Sequence, residues 1–212
     1  MKKMLAIIGA GGHGQQCAYV ARTMKIWEEI VFFDDNIESD GVIDKLCNIS
    51  KYLDKYDFFV GIGNNKVRSE IYKYLIESSA KIVSLQHPQS IVCDTSVISK
   101  GTVIMPGSII NNNVYIGECS IINTGAIIEH DCRIGQFVHI APGVKIAGGV
   151  NINDYNFLGI STVVINNIDI CAGNIIGASS LILKSIDKKG IYYGQPVRKK
   201  KGFDSSYHRS TY

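Results

Sequence analysis

From Val92 to Ile182 every sixth residue is aliphatic: Val92, Ile98, Ile104, Ile110, Ile116, Ile122, Ile128, Ile134, Ile140, Ile146, Ile152, Leu158, Val164, Ile170, Ile176 and Ile182. A period of six suits neither an α-helix nor a half-buried strand of simple alternation. It is the signature of a parallel β-helix, in which each hexad makes one short face of a triangular prism. Three hexads close an 18-residue coil, so these sixteen anchors predict a little over five coils, stacked about 4.8 Å apart in a rod roughly 25 Å long. Four places after each anchor the residue is mostly small or β-branched, as at Ser96, Thr102, Ser108, Val114, Ser120, Ala126, Cys132 and Val138. Two side chains per hexad therefore point into a narrow interior; Asn156, Ile168 and Asn174 fit that role least well.

Ahead of the repeat the pattern changes. Met4-Leu-Ala-Ile-Ile8 reads as a buried strand and Gln15–Arg22 as a helix, with Gly9-Ala-Gly11-Gly12-His13-Gly14 between them. This is G-x-G-x-x-G in its strand-to-helix context, where backbone amides at a helix start can hold phosphate. A second strand, Glu29–Phe33, ends at Asp34-Asp35, 20 residues past Gly14, where an acidic side chain reaches a ribose hydroxyl in such folds. A third strand, Phe58–Ile62, runs into Gly63-Asn-Asn-Lys-Val-Arg68 and another helix. The chain thus divides into an α/β Rossmann-like half-domain (1–88), a β-helix (89–187) and a C-terminal segment (188–212) with a basic tail. One mononucleotide half suits a nucleoside diphosphate better than NAD, and His13 can donate to a phosphate or sugar oxygen. The competing reading is that these glycines only make tight turns.

Composition narrows the classes. The chain has 212 residues, 34 of them Ile, and a net charge of +3, which gives no reason to expect nucleic acid or an anionic membrane as partner. No apolar run approaches the roughly 20 residues that span a bilayer. Six scattered cysteines without a C-x-x-C pair read as reduced thiols of a cytoplasmic protein. Only 9 of the 93 residues from Ile91 to Leu183 are Asp, Glu, Lys or Arg. Against that bland background Ile128-Glu-His130-Asp131 stands out, because carboxylates beside an imidazole can orient it and raise its basicity.

His139 is nine residues further on, half a coil away, where it can point into the same groove. A zinc site of the carbonic-anhydrase kind needs three imidazoles and the repeat supplies two, so no metal is expected. A pair of interface histidines remains one alternative. The leading reading is general base catalysis by His130 on an acceptor amine or hydroxyl that attacks a thioester. Tyr193-Gly-Gln-Pro196-Val-Arg198-Lys-Lys-Lys201 closes the repeat with a basic cluster suited to coenzyme A phosphates, or to solvent alone.

Together Gly9–Gly14, Phe33–Asp35, Ile62–Lys66, Asn123–His130, Ala147-Gly148, Phe157–Ile160 and Gly194–Arg198 resemble the acetyl-CoA-dependent N-acetyltransferases of nucleotide-linked 4-amino-4,6-dideoxysugars, relatives of the sialic acid O-acetyltransferases. The resemblance implies a left-handed parallel β-helix, although right-handed crossovers are the rule elsewhere, and a homotrimer with the active site between subunits. It implies His130 as general base assisted by Asp131, His139 at the acetyl-CoA carbonyl, and the Gly148 N–H as oxyanion donor. Ile160, Ala178, Pro196 and Arg198 would line the coenzyme groove, and Gly11, Gly12, His13, Asp34, Asp35 and Gly63 would hold the nucleotide sugar. Ala178 stands where relatives carry Gly, and Val197 where they carry Ala. Acetyl-CoA would be the co-substrate. Two alternatives are O-acetylation of a sialic-acid type sugar and a non-catalytic nucleotide-binding scaffold. UDP, dTDP and GDP are not distinguished.

Overall fold

A computed structural model describes residues 3–38 and 40–200. Strands β1 (Met4–Ile8), β2 (Glu29–Phe33), β3 (Val42–Asp44) and β4 (Asp57–Val60) form a parallel sheet in the order β3-β2-β1-β4. The third strand foreseen from sequence ends two residues early, at Val60, and is followed by Gly61, where an added Cβ would lie 2.8 Å from the Cα of Gly14. Two α-helices, α1 (Gly12–Met24) and α2 (Asn65–Glu77), and a 3-10 helix over Leu46–Tyr52 complete the unit. Helix α1 begins three residues before the expected Gln15, so its first amides belong to the glycine turn itself. Helix α2 is started by Asn64, whose side chain accepts from the Lys66 and Val67 amides, the usual economy of an N-cap.

From Leu85 onward the described residues form a left-handed parallel β-helix. Its first face carries the strands Leu85–Gln86, Val103–Ile104, Ile121–Ile122, His139–Ile140, Phe157–Leu158, Ile175–Ile176 and Ile191–Tyr193, edged by the antiparallel Arg198–Lys199. The second carries Ile91–Val92, Ile109–Ile110, Ile127–Ile128, Lys145–Ile146, Val163–Val164 and Leu181–Ile182. The third carries Val97–Ile98, Tyr115–Ile116, Arg133–Ile134, Asn151–Ile152 and Asp169–Ile170. Pairing is in register at 18 residues, as in Ile121 to His139 to Phe157.

Each hexad anchor is the second residue of its strand and points inward; all are buried except Val92 and Ile98 in the first coil. Burying such a side chain contributes about 1.5–3 kcal/mol, so the column of anchors is the principal stabilising feature of the prism. The corners carry backbone carbonyls that face inward and need donors. Small hydroxyl residues supply them: Thr102 Oγ1 donates to Gly117 O at 3.1 Å and Ser120 Oγ to Gly135 O at 2.9 Å. Two of the three misfits of the repeat, Asn156 and Asn174, do the same work. Asn156 donates to Asn153 O and Cys171 O, and its Oδ1 accepts from the Asn174 amide. Asn174 Oδ1 accepts in turn from Gly190 N, so the ladder leads out of the repeat into the C-terminal strand.

The α/β unit sits on the first face. Outward-pointing Leu85, Val103 and Ile121 are fully buried against α1 and β1, while Cys119 and Phe137 on the adjoining corner pack against Tyr72 of α2. Among the described residues nothing covers the second face, yet its outward positions are apolar in five of six rungs: Ile91, Ile109, Ile127, Val163 and Leu181, with Lys145 the exception. Ile91 is 63% exposed. Among the described residues no helix is long and apolar enough to cross a membrane.

Candidate functional site

The glycines of the first turn divide into two kinds. A Cβ on Gly14 would lie 1.9 Å from the Gly9 carbonyl oxygen, so Gly14 is there to let helix and strand approach. Around Gly11, Gly12 and Gly63, by contrast, an added Cβ would meet nothing within 4 Å. These three line open space at the start of α1, where the unpaired first amides of the helix face outward. Asp34 and Asp35 close the same loop region. Both oxygens of Asp34 are spent on backbone: Oδ2 accepts from Ala10 N at 2.8 Å, and Oδ1 from Asn36 N and Ile37 N at 2.9 Å each. Partial burial alone would raise its pKa, but those three donors outweigh it and hold the carboxyl below the usual range. Asp35 is exposed and uses Oδ1 on Leu46 N.

The opposite wall of this space is the first face of the prism. His139 is half-buried there, not outward on a bare surface, with its ring 6.3 Å from His13 and edge-on to Phe157 at 5.0 Å. Its Nδ1 lies 3.4 Å from Gly63 O and its Nε2 3.3 Å from Asn123 Nδ2. The carbonyl fixes the proton on Nδ1, so Nε2 accepts from Asn123 and both nitrogens are used within the chain. Burial first, then the Arg68 charge, lowers His13 to about 4; burial, Arg68 and His13 lower His139 to about 3. Both imidazoles are neutral at pH 7.

That neutrality has a thermodynamic sign. In the unfolded chain each histidine takes a proton near 6.5, whereas the folded chain resists until about 4 and 3, so acid favours unfolding. Unfolding free energy is expected to be fully supported above pH 6.5 and to fall steadily from there to pH 4. Urea denaturation at pH 7 and pH 5 checks this; the double variant His13→Asn, His139→Asn should flatten the slope.

His130 lies elsewhere in the chain. It follows Ile127–Ile128 at the corner joining the second and third faces, opposite the first face, so one chain does not bring His130 and His139 into one groove. The corner geometry explains its neighbour. Asn113, Asp131, Gly149 and Asn167 recur at this corner every 18 residues, all at φ between 56° and 69°, a conformation that Asn, Asp and Gly tolerate best. Asp131 in that pose accepts from His130 Nδ1 at 2.8 Å and from Asn113 Nδ2 at 3.2 Å. Those two hydrogen bonds, His130's first, keep the Asp131 carboxyl below its usual range. Glu129, the other flanking carboxylate, pairs instead with Asn111 Nδ2 at 2.7 Å.

With Nδ1–H committed to Asp131, Nε2 of neutral His130 carries a lone pair. One rung on, a Cβ at Gly148 would stand 2.6 Å from Cε1 and Nε2 of that ring; glycine is needed because the imidazole fills the space, not because of its backbone angle. The bonds on either side, Ala147 N to Val164 O and Gly149 N to His130 O, leave the Gly148 N–H between them without an acceptor among the described residues. A base and an unengaged N–H therefore sit side by side, the elements of attack on a carbonyl.

Ile160 and Ala178 occupy the other edge of the second face, at its corner with the first, and both are exposed. Pro196 and Arg198 follow in the terminal segment that returns along this corner, where Val197 N bonds Leu181 O. Lys201 of the basic cluster lies outside the described residues. No group of three or more His, Cys, Asp or Glu is placed to hold a metal ion among the described residues.

Three residues at the junction of the two units, Asn123, Asn65 and Arg68, stand in motifs quoted from the sequence but had no role assigned there. Asn65 donates to the Tyr155 and Asn156 carbonyls of the prism, and Arg68 is 1% exposed. Each lies in a polar run that reads as ordinary turn or helix surface until the units are docked.

Residues 4–75 match the PglD N-terminal domain family. UDP-N-acetylbacillosamine N-acetyltransferase of Bacillus subtilis (strain 168) is 32% identical over 111 residues, 49% of this chain and 51% of that protein. The chain spans about half the length of the curated relatives it matches. Two solved structures are similar over nearly the whole fold. The acetyltransferase domain of PglB from Neisseria gonorrhoeae, in complex with acetyl coenzyme A, is 29% identical with a TM-score of 0.90, over 94% of this chain and 100% of that one. A variant of GDP-perosamine N-acetyltransferase from Caulobacter crescentus, in complex with CoA and GDP-perosamine, is 27% identical with a TM-score of 0.88, over 92% of this chain and 96% of that one. With the glycine turns in a matched PglD N-terminal domain and the histidine corner in a shared β-helix, the chain is similar to the nucleotide-sugar 4-amino N-acetyltransferases.

Proposed function

We propose that the chain transfers the acetyl group of acetyl-CoA to the 4-amino group of a nucleotide-linked 4-amino-4,6-dideoxysugar, with His130 as general base. The observation that carries this reading is the His130–Asp131 pair at 2.8 Å with the imidazole packed against Gly148. The amine nitrogen attacks the thioester carbonyl, and its proton passes to His130 Nε2. Negative charge on the carbonyl oxygen meets the Gly148 N–H. As the C–S bond breaks, the proton leaves on the coenzyme sulfur, so CoASH and an amide are the products.

The placement of groups supports a homotrimer with shared sites. The base and amide lie on one edge of the apolar second face, and Ile160, Ala178 and His139 lie on or near the other. Packing that face around a three-fold axis buries Ile91, Ile109, Ile127, Val163 and Leu181 and sets one subunit's His130 edge against the next subunit's Ile160 edge. The nucleotide would rest on the Gly11, Gly12 and Gly63 turns with its sugar directed past His13 toward the coenzyme. Asp35 keeps one oxygen for a ribose hydroxyl, whereas Asp34 shapes the turn.

An acceptor panel with thiol detection tests the reading. Coenzyme A release is expected with UDP-, dTDP- or GDP-linked 4-amino sugars and not with free sialic acid. Release with sialic acid alone would make it an O-acetyltransferase, and nucleotide binding without release a non-catalytic scaffold.

A further inference from the structure

Arg68 is buried where the two units meet, and no carboxylate among the described residues neutralises it. All five of its N–H donors have acceptors: Nε donates to Cys119 O at 2.7 Å, Nη1 to Gly63 O at 2.8 Å and Ile62 O at 3.1 Å, and Nη2 to Asn65 Oδ1 at 2.7 Å and Val138 O at 3.5 Å. Its partners are four carbonyls and an amide oxygen. A buried cation usually has an ionic partner, because desolvation is costly without one. Burial indeed lowers the Arg68 pKa to about 10, which leaves it charged at pH 7.

Two consequences follow from the geometry. The fork ties the second glycine turn, through Ile62 and Gly63, to the prism corner at Cys119 and to Val138, the residue before His139. Lysine cannot reproduce this, having one nitrogen and no planar fork. The positive charge also lies behind a turn lined by Gly11, Gly12 and Gly63, in surroundings with little water to screen it.

We infer that Arg68 is the positioning residue of this turn, fixing the Gly63 loop against the coil and supplying the unbalanced positive charge that the diphosphate of a nucleotide ligand neutralises. The inference rests on the proposed nucleotide reading for its ligand, though not for its effect on the neighbouring imidazoles. Around His13 those neighbours are Cys17, His139 and Arg68; around His139 they are Asn123, Gly63, Phe157, His13 and Arg68.

Arg68→Lys keeps the charge and loses the fork, whereas Arg68→Met loses both. In the full-length chain, calorimetry with UDP, dTDP and GDP and NMR titration of the imidazoles separate the two contributions. For Arg68→Lys we expect nucleotide affinity about tenfold weaker, KM for acetyl-CoA within about twofold, and imidazoles that still titrate low. For Arg68→Met we expect a larger loss of affinity and imidazole titrations moved toward higher pH. Unchanged affinity in both variants, or an unmoved imidazole titration in Arg68→Met, overturns the inference. Should the wild-type chain bind none of the three nucleotides, the proposed function fails and the imidazole titration alone decides Arg68. Should Arg68→Met not fold, Arg68→Lys decides: unchanged nucleotide affinity or raised imidazole titrations there overturn it.

Discussion

His130→Ala is expected to lower kcat by about 10²–10⁴, the usual contribution of a positioned general base, while KM for both substrates stays within about twofold. The side chain is exposed and touches the prism interior nowhere, so unfolding should be unchanged. Steady-state kinetics beside thermal unfolding separate the two. A stable variant with wild-type kcat would remove His130 from the mechanism. Because His130 and the glycine turns of one chain lie on opposite sides of the prism, the proposed trimer with shared sites predicts that His130→Ala chains mixed with His13→Ala chains regain activity. No recovery on mixing would place the whole site within one subunit.

Gly148→Ala is the second large effect, and it acts by space alone. The new methyl would stand 2.6 Å from two atoms of the His130 ring, closer than packed carbon atoms come, so the imidazole has to swing away. Two things are then lost, the base's position and the approach of a carbonyl to the Gly148 amide. Losing one oxyanion donor typically costs about 10²–10³ in rate, and an effect of at least that size is expected in kcat. Stability should hardly change, since the residue has no left-handed backbone to strain and Ala restricts the unfolded chain. Wild-type kcat in Gly148→Ala would show that neither the packing nor the amide matters.

The prism was legible in the sequence because its physics is local and periodic. A narrow interior accepts one large aliphatic and one small residue per hexad, and thirteen of the sixteen anchors are isoleucine, a stiff β-branched side chain suited to strands. The glycine turn was legible for a similar reason: only Gly fits where helix and strand backbones nearly touch at Gly14. Even the misfits Asn156 and Asn174 marked something real, the interior ladder that satisfies corner carbonyls.

What stayed hidden depends on docking. Asp34 reads as a ribose ligand by spacing, yet three backbone amides claim its oxygens. The nine residues between His130 and His139 are half of an 18-residue coil and so lead from a corner to the face across from it, but the spacing does not say that the α/β unit covers that face. Arg68 looks like an ordinary helix residue in a charged stretch, and becomes a buried cation only once α2 meets Cys119 and Val138.

By itself, then, the sequence determined the architecture and the chemical inventory: a half-Rossmann unit, a six-residue repeat, and a charged histidine corner in a charge-poor rod. Tertiary structure alone decided how the inventory is shared out. It put His130 and the Gly148 amide on one edge of the apolar face, His13 and His139 under the glycine turns, and Arg68 between the units. The reason is physical: periodic burial is written in nearest-neighbour spacing, whereas the meeting of a turn, a coil and a guanidinium depends on which faces two units bury against each other.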